Sequence, residues 1–150
     1  MALKQSKQVV AGYPAPTPRE AANLINITAE YTVVAADAIG DIVEMGAIPE
    51  GCVPVDLIVA NGAIGAGATL DVGVISGEFA KRDDARSMGN EFIALGNVAA
   101  SGILRLTKNP NAVLPSDALR GWGLKFAGAN PAAGQVIRAT LVCASAPVGI

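Results

Sequence analysis

The feature that most constrains the fold is one pattern repeated three times between residues 41 and 77: a short stretch of alternating apolar residues, then a glycine. The stretches are 41–46, 53–62 and 70–77. Alternation with a period of two buries one face of a β-strand, and glycine, or Asn-Gly as at Asn61-Gly62, supplies the positive φ that tight reversals require. The pattern predicts an antiparallel β-sandwich.

Further strands are predicted on both sides of this region. Residues 25–33 alternate cleanly, with Ile25, Ile27, Ala29, Tyr31 and Val33 on one face. Additional strands are expected at 92–95, 101–107, around 122–126 and at 135–144. The sum is about eight strands in two sheets, so we predict an all-β fold, a jelly-roll-like antiparallel β-sandwich that occupies residues 23–150.

The predicted core faces inward from these strands. Alternation with glycine and lysine places Trp122, Leu124 and Phe126 on one inward face. The full set of predicted core residues is Ile25, Ile27, Val55, Leu57, Val72, Val74, Leu104, Leu106, Trp122, Leu124, Phe126, Ile137 and Leu141.

Residues 1–22 are predicted to form an extended, proline-rich N-terminal arm. Prolines at 14, 16 and 18 remove backbone donors and favour extended, polyproline-like backbone. Two interpretations stay open: a disordered tail, or an arm that orders against a neighbouring subunit and serves attachment more than folding. On the second, the candidate interface residues of the arm are Val9, Val10, Tyr13, Pro14, Pro16 and Arg19.

A mixed-charge run interrupts the strands between residues 76 and 90, which we expect to form a surface loop or a short helix. It can be an ordinary solvated face, or a polar contact surface in which interspersed charges pair across an interface. On the second interpretation the candidate interface residues are Lys81, Arg82, Asp83, Asp84 and Arg86.

Composition narrows the list of partners. The net charge is −2, with 11 basic and 13 acidic residues, which lacks the basic surplus that would neutralise a run of phosphates. No stretch of about 20 apolar residues is present, and no apolar signal segment follows Lys4 and Lys7. We therefore expect neither nucleic acid nor membrane as a partner, and synthesis in the cytoplasm.

Self-association is predicted from the low charge content. Charged residues make up 16% of the chain and hydrophobic residues 51%, whereas charged residues are about a quarter of a typical domain. A chain with so little polar surface is expected to form a symmetric homo-oligomer or to co-assemble with another protein.

The usual chemistry of enzymes is missing from the sequence. There is no histidine, which excludes Ser-His triads and the commonest zinc sites. The glycine-rich stretch 62–69 leads into a strand rather than a helix, so it is no dinucleotide-binding motif. Cys52 and Cys143 lie far apart and are expected to be buried free thiols, with a disulfide as the less favoured alternative. We predict no enzyme activity, no metal and no cofactor.

The strands at the centre of the chain resemble those of a known family, the small proteins that decorate or cement the heads of tailed bacteriophages. The resemblance lies in 39–51, with the strand Asp41–Met45 and the turn Ile48-Pro49-Glu50-Gly51, and continues through Val55–Gly62 to 68–74. The closing strand 134–142 is similar as well. The resemblance covers about a third of the chain.

The resemblance implies a jelly-roll-like fold, no enzymatic activity, homo-oligomers, and an arm that reaches neighbouring protomers. It further implies a structural virion protein on the capsid surface that bridges subunits of the major capsid protein, with itself, as a dimer or trimer, as the second partner. The alternative is a head-fibre or receptor- or glycan-binding sandwich. That alternative needs exposed aromatic residues, and the sequence has only six aromatic residues, with Trp122 predicted to point inward.

Overall fold

The computed structural model describes residues 1–12 and 24–145. These residues form nine strands, which are β1 (Leu3–Gln5), β2 (Leu24–Thr32), β3 (Ile42–Ile48), β4 (Cys52–Asn61), β5 (Thr69–Ile75), β6 (Ile93–Asn97), β7 (Gly102–Arg105), β8 (Arg120–Ala127) and β9 (Val136–Ser145). A single-turn helix, α1 (Lys7–Val10), follows β1, and a 3-10 turn spans Pro110–Ala112. No helix in these two ranges is long and apolar enough to cross a membrane.

The strands form two facing sheets. Sheet A has the order β1-β3-β8-β5-β6, and sheet B has the order β2-β9-β4-β7. From β2 onward every pairing is antiparallel, and the chain changes sheet at each connection except the one between β5 and β6. Eight strands connected in this way form a jelly roll, so the predicted fold class is confirmed.

The core lies between the two sheets and is almost wholly apolar. Trp122, Leu124 and Phe126 are each at most 1% exposed, as their alternation with glycine and lysine predicted. They pack against Leu57 and Leu141 from sheet B. Cys52 and Cys143 are buried free thiols, as expected, and burial raises the pKa of both.

Val55 is an exception to the predicted core, because it is 39% exposed. The ladder between β4 and β9 shifts between Pro54 and Asp56. This β-bulge adds one residue to β4, so Pro54 and Leu57 both face inward and Val55 turns outward. The strict period of two fails at that point, and the prediction for Val55 is wrong.

The beginning of the chain is part of the sandwich rather than a free arm. Strand β1 extends sheet A by pairing in parallel with β3. Ala2 N donates to Asp41 Oδ1 at 2.8 Å, and Ser6 N donates to the carbonyl of Glu44 at 2.8 Å. The Ser6 hydroxyl donates to the carbonyl of Met45 at 2.7 Å and is fully buried. The predicted arm, residues 1–22, is therefore paired with its own domain at residues 3–5, because the prolines that remove backbone donors begin only at Pro14.

The remainder of the predicted arm, including Tyr13, Pro14, Pro16 and Arg19, lies outside the described residues. The boundary placed between residues 22 and 23 lies there as well. Val10 is 68% exposed and Val9 is partly buried, both in α1.

We predict that truncating the core residues Leu57 or Leu141 to alanine lowers the free energy of unfolding by about 2 to 5 kcal/mol. Both side chains are fully buried between the sheets, so each truncation leaves a cavity. Val55→Ala is the matched control on the same strand and should cost much less. Urea unfolding followed by circular dichroism measures all three. A cost below about 1 kcal/mol at both leucines would mean that the faces of β4 and β9 are reversed.

We also predict that deleting residues 2–12 lowers the midpoint of thermal unfolding by about 5 °C or more. The deletion removes the β1 ladder, and it leaves the edge of β3 without a partner and Asp41 Oδ1 without its hydrogen bond from Ala2 N. Calorimetry of the truncated and full-length chains provides the measurement. An unchanged midpoint would show that residues 2–12 do not contribute to the fold, as the sequence alone had indicated.

Candidate protein interface

The structure brings two of the predicted interface segments together at one edge of sheet A. Leu3 N in β1 donates to Asp84 Oδ1 at 3.2 Å, and the Gln5 side chain donates to the carbonyl of Ala80 at 3.1 Å. The start of the chain and the charged run, 75 residues or more apart in sequence, thus form one continuous surface.

Between these segments lies an open cleft of about 530 Å³, which we call the N-terminal cleft. Its lining comes from β1, from the end of β2 and from the mixed-charge run at residues 76–90, which we call the charged loop. The lining residues are Ala2, Leu3, Lys4, Gln5, Tyr31, Arg82 and Asp84. The lining is rich in polar and charged groups, which suits a protein contact better than an apolar ligand.

One wall of the cleft is fixed by a buried carboxylate. The Asp37 side chain is fully buried and accepts hydrogen bonds from the Tyr31 hydroxyl, at 2.8 Å, and from Val34 N, also at 2.8 Å. Lys4 Nζ lies 3.7 Å from its other oxygen. Burial, followed by the hydrogen bond to Asp37, raises the pKa of Tyr31, so the hydroxyl remains a donor. Tyr31 and Lys4 are therefore held in place before any partner arrives.

The opposite wall, the charged loop, is held by a buried ion pair. Arg86 Nη2 lies 2.7 Å from Glu44 Oε1, with side chains 3% and 0% exposed. Arg86 Nε donates to the carbonyl of Ser76 at 2.6 Å and Nη1 to that of Lys81 at 2.9 Å. Ala80 N donates to the second oxygen of Glu44 at 3.2 Å. A buried charge is tolerated only when it is paired and hydrogen-bonded, and this pair meets both conditions.

The ion pair also holds a strained residue. Ala80 has a φ of 63°, in the left-handed region that costs a non-glycine residue about 1 to 2 kcal/mol. Such a conformation persists only where surrounding contacts determine it. Two hydrogen bonds supply those contacts: Ala80 N donates to Glu44, and the carbonyl of Ala80 accepts from the Gln5 side chain.

Glycines in sheet A make room for the loop. Gly123 pairs with both Glu44 and Gly73, on the outer face of the sheet. A Cβ at Gly121 would overlap Glu44 Oε1, and a Cβ at Gly73 would overlap the carbonyl of Gly89. The glycines that alternate with Trp122 and Leu124 therefore mark a covered outer face, and this alternation is visible in the sequence.

The predicted interface residues differ in their exposure. Lys81, Arg82, Asp83 and Asp84 are exposed, so their role in contacts stays a prediction. Arg86 is 4% exposed. Its predicted place on a contact surface does not fit this burial, because its guanidinium is used inside the chain to position the loop.

A second surface with charged groups lies on the outer face of sheet B. Arg105 pairs with Asp56, while Glu30 pairs with both Arg138 and Lys7. Hydrogen bonds from Lys7 and Arg138 lower the pKa of Glu30. These pairs are solvent-exposed, so each contributes little to stability. Within the two described ranges, no group of three or more His, Cys, Asp or Glu side chains could hold a metal ion.

We predict that Arg86→Ala lowers the free energy of unfolding by about 3 to 5 kcal/mol, because it leaves the Glu44 carboxylate buried without its partner. Arg105→Ala, which removes an exposed ion pair, is the matched control and should cost at most about 1 kcal/mol. The double variant Glu44→Ala with Arg86→Ala should cost less than the sum of the single changes. Equal costs for Arg86→Ala and Arg105→Ala would show that the buried pair does not hold the loop.

No family model and no curated protein matches this chain. Among solved structures, similar folds occur in the cyanophage Pam1 capsid, with a TM-score of 0.53 and 15% identity over 89% of this chain and 92% of that one. The acid-stable capsid of Helicobacter pylori bacteriophage KHP30 contains another, with a TM-score of 0.52 and 15% identity over 82% of this chain and 89% of that one. At this identity the two show the fold alone.

The similarity to a chain in the capsid of Ralstonia phage GP4 is much stronger. The two are 34% identical, the alignment covers 97% of this chain and 99% of that chain, and the TM-score is 0.88. The alignment therefore spans nearly the whole of both chains. The chain belongs to the same family as this protein of the Ralstonia phage GP4 capsid, a family of bacteriophage capsid proteins.

Proposed function

We propose that this chain is a capsid decoration, or cement, protein that stabilises a phage head by bridging subunits of the major capsid protein. The observation that carries the proposal is the 34% identity, over 97% of the chain, to a protein of the Ralstonia phage GP4 capsid. It supports a structural role in the virion. The proposed position is the outer surface of the capsid, after synthesis in the host cytoplasm.

The proposed mechanism is adhesion. Each copy adds contact area across a boundary between capsid subunits, and binding to the assembled shell alone stabilises that shell by mass action. Many copies, each with modest affinity, together raise the barrier to separation of the subunits when packaged DNA pushes outward. Such a role requires a rigid domain with a preformed polar surface, and the N-terminal cleft has both of its walls fixed by buried ionic groups.

Self-association, as a dimer or trimer, is the second part of the proposal. Several large apolar side chains in the described ranges are exposed, including Leu95 at 64% and Ile103 at 68%. A symmetric oligomer would cover some of this surface, and each oligomer would make several contacts with the shell instead of one.

The alternative, a receptor- or glycan-binding module of a head fibre, gains no specific support. Such modules stack sugars on exposed aromatic rings. In the described part of the chain, Phe92, Trp122 and Phe126 are at most 1% exposed, Tyr31 is 8% exposed, and the single remaining ring, Phe79, is partly buried.

The proposed function predicts that heads assemble without this protein but are weaker. Particles from a phage that lacks its gene should form, should release DNA at a lower temperature than complete particles, and should regain stability when the purified chain is added. Electron microscopy and a thermal DNA-release assay provide the measurements. If no heads form without the chain, it is part of the basic shell, and the decoration role is wrong. Heads whose stability does not depend on added protein would also contradict it.

A further inference from the structure

We propose that the edge of β1 that faces away from β3 is a docking site for an extended, acidic segment of the partner protein, which joins sheet A as an additional strand. The partner is a shell subunit other than this chain, so the inference rests on the proposed decoration function. It deepens that function by naming where the partner binds and in what conformation.

The register of β1 determines which backbone groups are free. Ile42 N donates to the carbonyl of Ala2 at 3.0 Å, and Ser6 N donates to the carbonyl of Glu44 at 2.8 Å. Lys4 is paired with Val43, between those two bonds. In a parallel ladder the groups of alternate residues point to the same neighbouring strand. Residues 2, 4 and 6 therefore bond to β3.

Residues 3 and 5 must then direct their backbone groups away from β3. Leu3 N is already used, because it donates to Asp84 Oδ1 at 3.2 Å. Among residues 1–12 and 24–145, the carbonyl of Leu3 and both backbone groups of Gln5 have no backbone partner, and both residues line the N-terminal cleft. An open row of donors and acceptors at a sheet edge is what an added strand requires.

The charges around this edge specify an acidic occupant. Three charged residues, Lys4, Arg82 and Asp84, line the cleft, and Lys4 lies beside the buried Asp37 carboxylate, at 3.7 Å. The Asp84 carboxylate already accepts the Leu3 N–H, whereas Arg82 is exposed and forms no ion pair with any described residue. A carboxylate carried by the incoming strand would pair with Arg82, and this complementarity selects among extended segments.

The walls of the cleft do not have to move to admit a strand. Tyr31 is fixed by Asp37 on one side, and the loop is fixed by the pair of Arg86 and Glu44 on the other. A preformed site loses little conformational freedom on binding, so even a few hydrogen bonds can contribute to affinity. The short length of β1 limits the added strand to a few residues.

The test compares four variants of the full-length chain for binding to heads purified without it. Gln5→Pro removes the outward N–H of the edge without touching the inward ladder, and Gln5→Ala is its control, since it keeps the N–H and loses only the side chain. Arg82→Glu reverses the charge at the cleft, and Arg105→Glu makes the same reversal on the outer face of sheet B. Thermal unfolding and sedimentation are measured for every variant.

We expect Gln5→Pro and Arg82→Glu each to weaken binding to heads about tenfold or more. Gln5→Ala, which keeps the outward N–H, should bind clearly better than Gln5→Pro, and Arg105→Glu should bind nearly as the natural chain does. If Gln5→Pro also lowers the unfolding temperature, its weaker binding cannot be assigned to the lost N–H. The comparison of head binding by Arg82→Glu and by Arg105→Glu then tests the docking site.

Normal head binding by both Gln5→Pro and Arg82→Glu would overturn the proposal while leaving the decoration function intact. Loss of self-association in these variants with unchanged head binding would assign the edge to a second copy of the chain, which also overturns it. Failure of the natural chain to bind heads would overturn the decoration function itself and this proposal with it.

Discussion

The buried ion pair between Glu44 and Arg86 is the interaction on which the outer layer of this protein depends. Glu44 lies in the middle of β3, on the face of sheet A that points away from the core, where glycines on the neighbouring strands leave room. A carboxylate buried there requires a cation, and Arg86 reaches it only if the loop folds back over the sheet. The folded-back loop places Ala80 where its N–H reaches Glu44 and its carbonyl accepts the hydrogen bond from Gln5.

The two faces of sheet A therefore contribute to the structure in different ways. The inner face contributes the apolar layer that stabilises the jelly roll, with Trp122 and Leu124 at its centre. The outer face carries a small second cluster of Ile42, Ile75 and Met88, together with the ionic contacts that fix the loop. Burial between the sheets supplies most of the stability, while the polar layer determines the shape of one edge.

Much of the fold was accessible from the sequence because it depends on local periodicity. The alternation in residues 25–33 and around Trp122 predicted β2 and β8, and turn residues such as Asn61-Gly62 marked the ends of strands. Val55 was misplaced because a β-bulge depends on the register between two strands, which no single strand encodes. The pairing of β1 with β3 joins segments about 40 residues apart, and three residues are too few for a periodic signal.

The sequence predicted only parts of the candidate site. Mixed charge identified the loop, and its exposed members Lys81 to Asp84 do face solvent. The sequence could not distinguish Arg86 from its neighbours, since the difference lies in a partner, Glu44, that is 42 residues away. The resemblance to phage head proteins came from strand and turn patterns in a third of the chain, whereas the equivalence with the Ralstonia phage GP4 capsid protein extends over 97% of it.

The residues that fix the loop are different from the residues that the loop exposes to solvent. Arg86 and Glu44 fix the loop from beneath, and Lys81, Arg82 and Asp83 project from it without contributing to the core. Substitutions at the projecting positions can change the charge offered to a partner at little cost in stability, because exposed charges contribute little to folding. Substitutions at the buried pair change the loop itself. On the proposed decoration function, this separation would let the loop be matched to a different shell without redesign of the sandwich that carries it.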